Sequence, residues 1–348
     1  MAKKVGVVKG DIFLEHDTGR SHPESAGRLV SIYGMLDQTG ISREVKTVEL
    51  RKATREEILA IHSEAHYRAI EHTQGKEGTY LDGDTPASPK SFEAALFAAG
   101  SLIELTRSVL SGELDSGFAL VRPPGHHAER DRAMGFCLFN NVAIAAAWAL
   151  REKGLQRVLI ADFDVHHGNG TQHSFYETDQ ALYFSTHRYP FYPGTGYFNE
   201  VGKNRGEGFT VNVPLPGGMG DAEFDAVYSK VLIPIARAYR PELILISAGF
   251  DSYYQDPLGG MEMTEQGFAR LGSIFIRLAD ELCQGKLVLA LEGGYAVEGS
   301  ARCIREIMLR LLGKAELVPE LGEPVSGFER VLEEVAKHHR SYWKELSL

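Results

Sequence analysis

The sequence has few cysteines and no long apolar run, and both absences narrow the class of protein. Its 348 residues include 3 cysteines, Cys137, Cys283 and Cys303. They lie far apart in sequence and form no paired ligand motif, which fits a reducing compartment without a disulfide framework. No segment approaches the roughly 20 apolar residues of a membrane span. The apolar run 5–8 is too short for the hydrophobic part of a signal peptide. We therefore expect a cytoplasmic protein without a membrane partner.

Positive charge is also scarce. A formal net charge of -10 argues against a direct nucleic-acid partner, because binding to the phosphate backbone depends on clustered Lys and Arg. Hydrophobic residues make up 43% and charged residues 24% of the chain, as in soluble globular proteins. No repeat, low-complexity tract or long linker divides it. We predict a single domain over 1–348 with a peripheral helical tail from about residue 314, and leave oligomerisation open.

Short β-branched or apolar runs recur and alternate with longer segments of helical spacing. This alternation is typical of an α/β fold in which helices cover both faces of a mainly parallel sheet. Ser91 can cap a helix that ends at Leu110. Asp221 can start another, which Pro234 should kink or break, and Thr264 can open a third. The predicted strands are 5–8, 117–121, 158–160, 182–185, 210–215, 243–247 and 287–291.

Carboxylates and a histidine directly follow predicted strands. Asp162, Asp164 and His166 alternate just after one strand, so in an extended segment their side chains share a face. Asp251 follows strand 243–247, and parallel strands deliver their carboxyl ends to one edge of the sheet. Asp164, His166 and Asp251 would then provide three ligands for a divalent metal and leave a position open for water, as in catalytic zinc sites.

Other polar segments follow further predicted strands. His126 and His127 are adjacent on a Pro- and Gly-shaped loop after strand 117–121, and are candidate acid/base groups. Tyr295 lies in a Glu-Gly-Gly-Tyr segment after strand 287–291 and can stabilise an oxyanion. Singly, such residues are more often structural than catalytic, and Asp-x-Asp-x-His can form an Asx-turn before a helix. Their conjunction after successive strands favours one site.

These segments make the chain resemble the histone deacetylase superfamily, in particular its class II members and the bacterial histone deacetylase-like and acetylpolyamine amidohydrolases. The likeness runs from residue 22 past residue 295. It implies the arginase/deacetylase fold, with a mainly parallel sheet of about eight strands and helices on both faces. It also implies Zn²⁺ at the three ligands above, where Fe²⁺ is a possible alternative. The matching motifs, in the family's order, are Pro-Gly-His-His-Ala, Gly-Phe-Cys-Leu-Phe-Asn-Asn, Asp-x-Asp-x-His-His-Gly-Asn-Gly-Thr-Gln and Glu-Gly-Gly-Tyr.

The resemblance implies a metal-assisted hydrolysis of acyl amides. His127 would take a proton from water and later give it to the leaving amine, while Tyr295 and the metal would share the oxyanion. His126, paired with Asp162, would orient and tune the site. Asn169 stands opposite His127, where class I members have an aspartate. We therefore expect the base to have less electrostatic support.

The resemblance extends to residues around this catalytic group. Phe136 and Tyr192 match the aromatic walls of an acyl-lysine tunnel, and Leu258 matches its rim. Family members also bind K⁺, which would be structural here. The further substrate residues implied are Gly135, Gly294 and Asp84, and the potassium residues implied are Asp162, Asp164, His166, Ser185 and Thr186 at one site and Phe175, Thr178, Ala181 and Phe209 at another.

The sequence leaves the substrate open between an acetylated lysine of a protein or peptide and an acetylated small amine such as an acetylpolyamine. The polyamine-selective eukaryotic enzyme resembles this chain but has a glutamate where this chain has Leu258, which favours acyl-lysine. A non-catalytic binding module would be expected to have lost His127, Tyr295 or a metal ligand, and none is lost. An arginase-like binuclear manganese enzyme would need more aspartate ligands.

Overall fold

A parallel sheet of eight strands forms the centre of the protein in a computed structural model, which describes residues 3–314 and 321–346. Its strand order is β2-β1-β5-β10-β9-β6-β7-β8, and every pairing is parallel, which confirms the predicted architecture. A separate antiparallel pair joins β3 and β4. In chain order the strands are β1 Val5–Val8, β2 Lys46–Thr47, β3 Thr79–Tyr80, β4 Pro86–Ala87, β5 Ser116–Ala119, β6 Val158–Asp162, β7 Ala181–Arg188, β8 Thr210–Leu215, β9 Leu243–Ala248 and β10 Leu287–Leu291.

The apolar runs form strands because both faces of the sheet are covered. Every residue of the four central strands β5, β10, β9 and β6 is buried, so neither face needs polar residues and the runs are continuous. All seven predicted strands are present, and β1, β8 and β10 have the predicted bounds. The exposed two-residue strand β2 has no apolar run and was not predicted.

Helices flank the sheet in two groups. Helices α4 and α5 pack on each other and against the central strands, while α9 and α10 pack together with α1. In chain order the helices are α1 Ala26–Gln38, α2 Arg55–Ile58, α3 Glu64–Glu71, α4 Ser91–Leu110, α5 Asn141–Glu152, α6 Asn169–Phe175, α7 Asp221–Val227, α8 Ile233–Tyr239, α9 Glu265–Cys283, α10 Val297–Leu311 and α11 Glu329–His339.

Two predicted helix signals act as expected and one does not. The break expected near Pro234 is a π-helical turn over Tyr228–Leu232, between α7 and α8. Thr264 caps α9 by accepting a hydrogen bond from the Gln266 amide. Ser91 is not a cap but the first residue of α4, because its hydroxyl instead bonds His16 Nδ1 at 2.7 Å and the Ser88 amide at 2.7 Å.

Helix α11 lies against β8, the edge strand of the sheet. Trp343, just beyond the helix, donates from Nε1 to the Gly208 carbonyl at 2.8 Å. Covering an edge strand removes a template for pairing with other chains. Residues 315–320 of the predicted tail lie outside the described residues. That the tail is a peripheral appendage of a single domain remains a prediction. None of the described helices has the length and apolar character needed to cross a membrane.

A buried ion cluster joins the N-terminal segment to two central strands. Glu24 accepts from Arg122 Nε at 2.5 Å and Nη2 at 2.8 Å, and from Arg28 Nη1 at 3.2 Å. Arg28 also donates to the carbonyls of Glu292 at 2.6 Å and Gly294 at 2.7 Å. Burial raises the pKa of Glu24, but the guanidinium of Arg122 outweighs it and lowers the pKa to about 2. The cluster thus holds the loops that follow β5 and β10.

We expect Glu24→Gln to lower the free energy of unfolding at pH 7 by about 3–5 kcal/mol, because it leaves buried guanidinium groups without a charged partner. Folding lowers the pKa of Glu24 from 4.5 to about 2. This stabilisation is therefore present above pH 4.5 and is lost as the pH falls toward 2, so the difference should narrow in acid. Denaturant titration of both proteins at several pH values measures the difference in the free energy of unfolding. Glu113→Gln, which breaks an exposed pair with Lys46, should leave the free energy of unfolding nearly unchanged, because solvent screens that pair. An equal loss of stability in the two variants would contradict the assignment.

Candidate active site

The four polar segments identified in the sequence meet at one edge of the sheet. They follow β5, β10, β9 and β6, which are consecutive neighbours in the strand order. All four strands run in the same direction, so their carboxyl ends form one crevice. The segments are distant along the chain, and this strand order is what brings them together.

Asp164, His166 and Asp251 form a tight set of possible metal ligands. Their ligand atoms all lie within 4.8 Å of one another. His166 Nδ1 is 3.1 Å from Asp164 Oδ1 and 3.1 Å from Asp251 Oδ2. The two carboxylates are buried, and the imidazole is 12% exposed. The set therefore has an accessible side through His166.

Backbone amides position the two carboxylates. The Val165 amide donates to Asp251 Oδ1 at 2.8 Å, and the Gly293 amide donates to Asp164 Oδ2 at 2.8 Å. A Cβ at Gly293 would lie 2.3 Å from Asp251 Oδ2, so this close approach requires glycine.

The charge of this set fits a divalent cation. Burial lowers the pKa of His166, but Asp164 and Asp251 outweigh it and raise the pKa to about 10. Burial and the neighbouring Asp164 raise the pKa of Asp251 to about 7. Two carboxylates facing one imidazole carry an excess of negative charge that a cation would neutralise. Oxygen and nitrogen donors of this kind suit zinc and iron(II).

A second cluster, of His126, Cys137 and Glu292, is also compact but is already hydrogen-bonded. Glu292 Oε2 accepts from the amides of Gly125 at 2.7 Å and His126 at 3.2 Å. Burial raises the pKa of the Cys137 thiol well above its ordinary value, and its Sγ donates to the Gly135 carbonyl at 3.3 Å. A protonated thiol and an occupied carboxylate do not fit a metal.

The adjacent histidines have contrasting partners. His126 Nδ1 is 3.1 Å from Asp162 Oδ2, and His127 Nδ1 is 2.8 Å from Asn169 Oδ1. Burial lowers the pKa of His126, but Asp164 and Asp162 outweigh it and raise the pKa to about 10. Burial lowers the pKa of His127 well below its ordinary value, and His126 and His166 lower it further. The pair thus combines a cationic imidazole with a neutral one.

Three aromatic rings, those of Phe136, Tyr192 and Tyr295, lie near the adjacent histidines and the ligand set. The Tyr295 ring lies with its centroid 5.9 Å from that of Phe136, edge to face. The Tyr192 ring lies 5.1 Å from that of His127. Tyr295 is 9% exposed and Tyr192 is 37% exposed, so Tyr192 reaches further toward the surface than Tyr295 does.

Two glycines allow the backbone to pack closely against neighbouring side chains at the site. Gly135 has φ +55°, and a Cβ there would lie 2.4 Å from His127 Cδ2. Gly294 has φ +117°, and a Cβ there would lie 2.8 Å from Phe250 Cβ. Both positions combine a left-handed backbone with close neighbours, which other residues tolerate poorly.

Hydrogen bonds link the two predicted rim residues to the segments that carry the aromatic rings. Leu258 is 36% exposed, and its amide donates to Asp256 Oδ1 at 2.9 Å. Asp84 accepts from the Thr85 hydroxyl at 3.1 Å, and that hydroxyl accepts from the Phe136 amide at 3.1 Å. Burial and the neighbouring Asp82 raise the pKa of Asp84.

Three of the predicted potassium residues belong to β7. Ser185 and Thr186 belong to this strand, and Ser185 pairs in register with Asp162 of β6. Ala181 begins β7, whereas the Phe209 carbonyl accepts from the Tyr183 amide at 2.9 Å. These contacts do not test potassium binding, so both potassium sites remain predictions.

Sequence reasoning missed Asp256, which organises the rim. Its carboxylate accepts from the amides of Leu258 and Gly259 through Oδ1 and from Tyr295 and Ala296 through Oδ2, the Tyr295 bond being 2.6 Å. Asp256 therefore places the aromatic hydroxyl and the rim together. The Asp-Pro-Leu-Gly-Gly turn after Asp251 was the available signal.

The chain is similar to known proteins along nearly its whole length. The sequence model of the histone deacetylase domain family matches residues 22–311 of this chain. A probable deacetylase of Archaeoglobus fulgidus is 37% identical over 97% of this chain and 98% of its own length. Histone deacetylase 5 of Arabidopsis thaliana is 40% identical over 99% of this chain, which spans 54% of that relative.

A solved structure shows the same fold. The crystal structure of the HDA15 HD domain superposes with a TM-score of 0.93 at 38% identity, covering 99% of this chain and 96% of that one. The match confirms the arginase/deacetylase fold that the motifs implied. Because the family model covers most of the chain and its relatives agree along nearly all of it, this protein belongs to the histone deacetylase family.

Proposed function

We propose that this protein is a zinc-dependent deacetylase that hydrolyses the N-acetyl amide of lysine side chains. The observation that carries the proposal is the placement of the ligand set beside the neutral histidine. The ring centroids of His166 and His127 are 5.8 Å apart, so a metal-held substrate and a base would meet in one crevice. The 3 free, buried cysteines support a reducing compartment, and we propose the cytoplasm.

Asp164, His166 and Asp251 would hold the cation. Bound there, it would polarise the amide carbonyl and lower the pKa of water. Within residues 3–314 and 321–346, no fourth acidic, histidine or cysteine side chain joins this compact set. That supports a mononuclear site rather than a binuclear manganese site.

The two histidines would divide the proton transfers. His127, whose pKa is lowered by burial, would accept a proton from water and later return it to the leaving amine. His126 keeps its proton through its contact with Asp162. Its positive charge would favour the negative charge that develops during attack on the amide.

Tyr295 would donate a hydrogen bond to the oxyanion. Burial and the nearby Asp251 raise the pKa of its hydroxyl well above the ordinary value, so the hydroxyl keeps its proton. Phe136 and Tyr192 would line the tunnel, exclude water and pack along the aliphatic stem of the substrate. Gly135 lets the chain approach His127, and Gly294 lets it approach Phe250.

The rim supports acyl-lysine as the substrate. Leu258 presents an apolar side chain rather than a carboxylate that would bind a second amine. Asp84 could accept a backbone N–H of a bound peptide. The second candidate, an acetylpolyamine, is favoured by one observation: Asp82 and Asp84 lie together beside the rim, where they could attract a cationic chain.

We expect Tyr295→Phe to lower kcat about 100- to 1,000-fold, because one oxyanion donor is lost. Zinc content should not change, since the hydroxyl is outside the ligand set. Steady-state kinetics on an acetyl-lysine peptide and metal analysis measure both. Tyr254→Phe, at a residue 46% exposed, is the control and should keep full activity. Full activity in Tyr295→Phe would exclude the assigned role.

Removal of one ligand should abolish metal binding. We expect zinc to raise the Tm of the purified protein, because it neutralises buried carboxylates, and Asp251→Asn to lose both the bound zinc and the rise in Tm. Elemental analysis and thermal melts measure these. The control Asp280→Asn changes a carboxylate that is 53% exposed and should behave as wild type. Two manganese ions per chain would instead favour the binuclear alternative.

A substrate panel separates the two candidates. We expect a higher kcat/KM on acetyl-lysine peptides than on acetylputrescine or acetylspermidine. Leu258→Glu should shift this preference toward the polyamines by about tenfold, because it adds a carboxylate for the second amine. Comparable or higher kcat/KM on polyamines in the wild-type protein would reject the lysine preference.

A further inference from the structure

Glu129 lies directly behind the histidine and asparagine pair. Its Oε1 accepts from Asn169 Nδ2 at 2.5 Å. On its other side, His173 Nδ1 lies 2.8 Å from Oε1 and 3.0 Å from Oε2. The Glu129 side chain is 18% exposed and that of His173 is 49% exposed. A hydrogen-bonded chain therefore runs from buried His127 through Asn169 and Glu129 to the surface.

This chain determines which way the Asn169 amide points. A carboxylate can only accept hydrogen bonds from an amide, and so can a backbone carbonyl. Both Glu129 Oε1 and the His127 carbonyl, 3.3 Å away, lie on the same side of Asn169. That side must be the Nδ2 donor, so the Oδ1 acceptor faces the imidazole of His127, at 2.8 Å.

The amide orientation in turn selects the tautomer of His127. Because Asn169 Oδ1 can only accept, His127 Nδ1 must carry the hydrogen. In the neutral ring, Nε2 is then the nitrogen with the free lone pair, which a base requires. If the amide were reversed, its Nδ2 would favour an unprotonated Nδ1 and leave Nε2 protonated.

We propose that Glu129 is a positioning residue that orients the Asn169 amide and so holds His127 in the Nδ1–H tautomer. His173 binds Glu129 from the surface and keeps its carboxylate in place. The inference rests on the proposed function, in which His127 is the base. It also modifies the expectation that Asn169 leaves the base poorly supported. The carboxylate that is absent at position 169 is present one hydrogen bond further out.

Truncation of Glu129 tests the positioning role. We expect Glu129→Ala to lower kcat about 10- to 100-fold on an acetyl-lysine peptide, as loss of an outer hydrogen-bond partner does, with KM within about twofold. The matched control is Glu177→Ala. Glu177 also accepts from an asparagine, Asn204 Nδ2 at 3.0 Å, but on the surface, and its variant should keep both constants. An unchanged kcat in Glu129→Ala, or a loss confined to KM, would overturn the proposal.

A reciprocal exchange tests the pairing itself. Asn169→Asp would oppose two carboxylates across the present hydrogen bond and should lower kcat about 10- to 100-fold. Adding Glu129→Gln supplies an amide that can donate to the new aspartate, which can still accept from His127. We expect the double variant to recover at least about half of that loss on a logarithmic scale. Losses that simply add would contradict the assigned contact.

The tautomer can be observed without any substrate. In zinc-loaded protein with ¹⁵N-labelled histidine, the His127 signals, assigned by comparison with His127→Ala, should show a protonated Nδ1 and an unprotonated Nε2. Glu129→Ala should weaken this preference, and an unchanged tautomer would refute the positioning role. If the tautomer responds while wild-type protein hydrolyses no acyl amine, the proposed function fails and the positioning role stands.

Discussion

Asp164 and Asp251 place two buried carboxylates beside one imidazole at the centre of the sheet edge. An uncompensated buried charge costs several kcal/mol. The groups around these two carboxylates compensate their charge. Amides of Val165 and Gly293 bind their outer oxygens, while His166 faces the inner ones. The parallel order of the central strands makes this possible, because the ends of β6, β9 and β10 are neighbours.

Further buried charges hold the loops that carry the site. Glu24 binds Arg122 and Arg28, and Arg28 binds the carbonyls of the Glu-Gly-Gly-Tyr segment. Glu292 accepts from the amides of Gly125 and His126. These side chains are buried. Their contacts keep the loops after β5 and β10 in fixed relation, as a preorganised site requires.

The two histidines illustrate how a partner sets the role of a side chain. His126 faces the Asp162 carboxylate and has a raised pKa, whereas His127 faces the Asn169 amide and has a pKa lowered by burial. Asp164 and Asp162 together stabilise a proton on the His126 ring, and an amide oxygen does so less strongly than a carboxylate. In the proposed function, this difference places a cation and a base side by side. Glu129, one bond beyond Asn169, is close enough to orient the amide without contacting the base.

Seven strands and the polar residues that follow them could be predicted from the sequence, because continuous apolar runs and the polar residues after them are local signals. The sequence thereby predicted Asp164, His166 and Asp251 as a group, and the family motifs added roles for the rest. Which side chains meet across the fold could not be predicted in this way. Several features depend on partners that are distant in sequence: strand β2, the hydroxyl contacts of Ser91, and the hydrogen bonds of Glu24, Glu129 and Asp256. The periodicity and spacing of the sequence do not indicate these partners, because only packing brings them within hydrogen-bond distance.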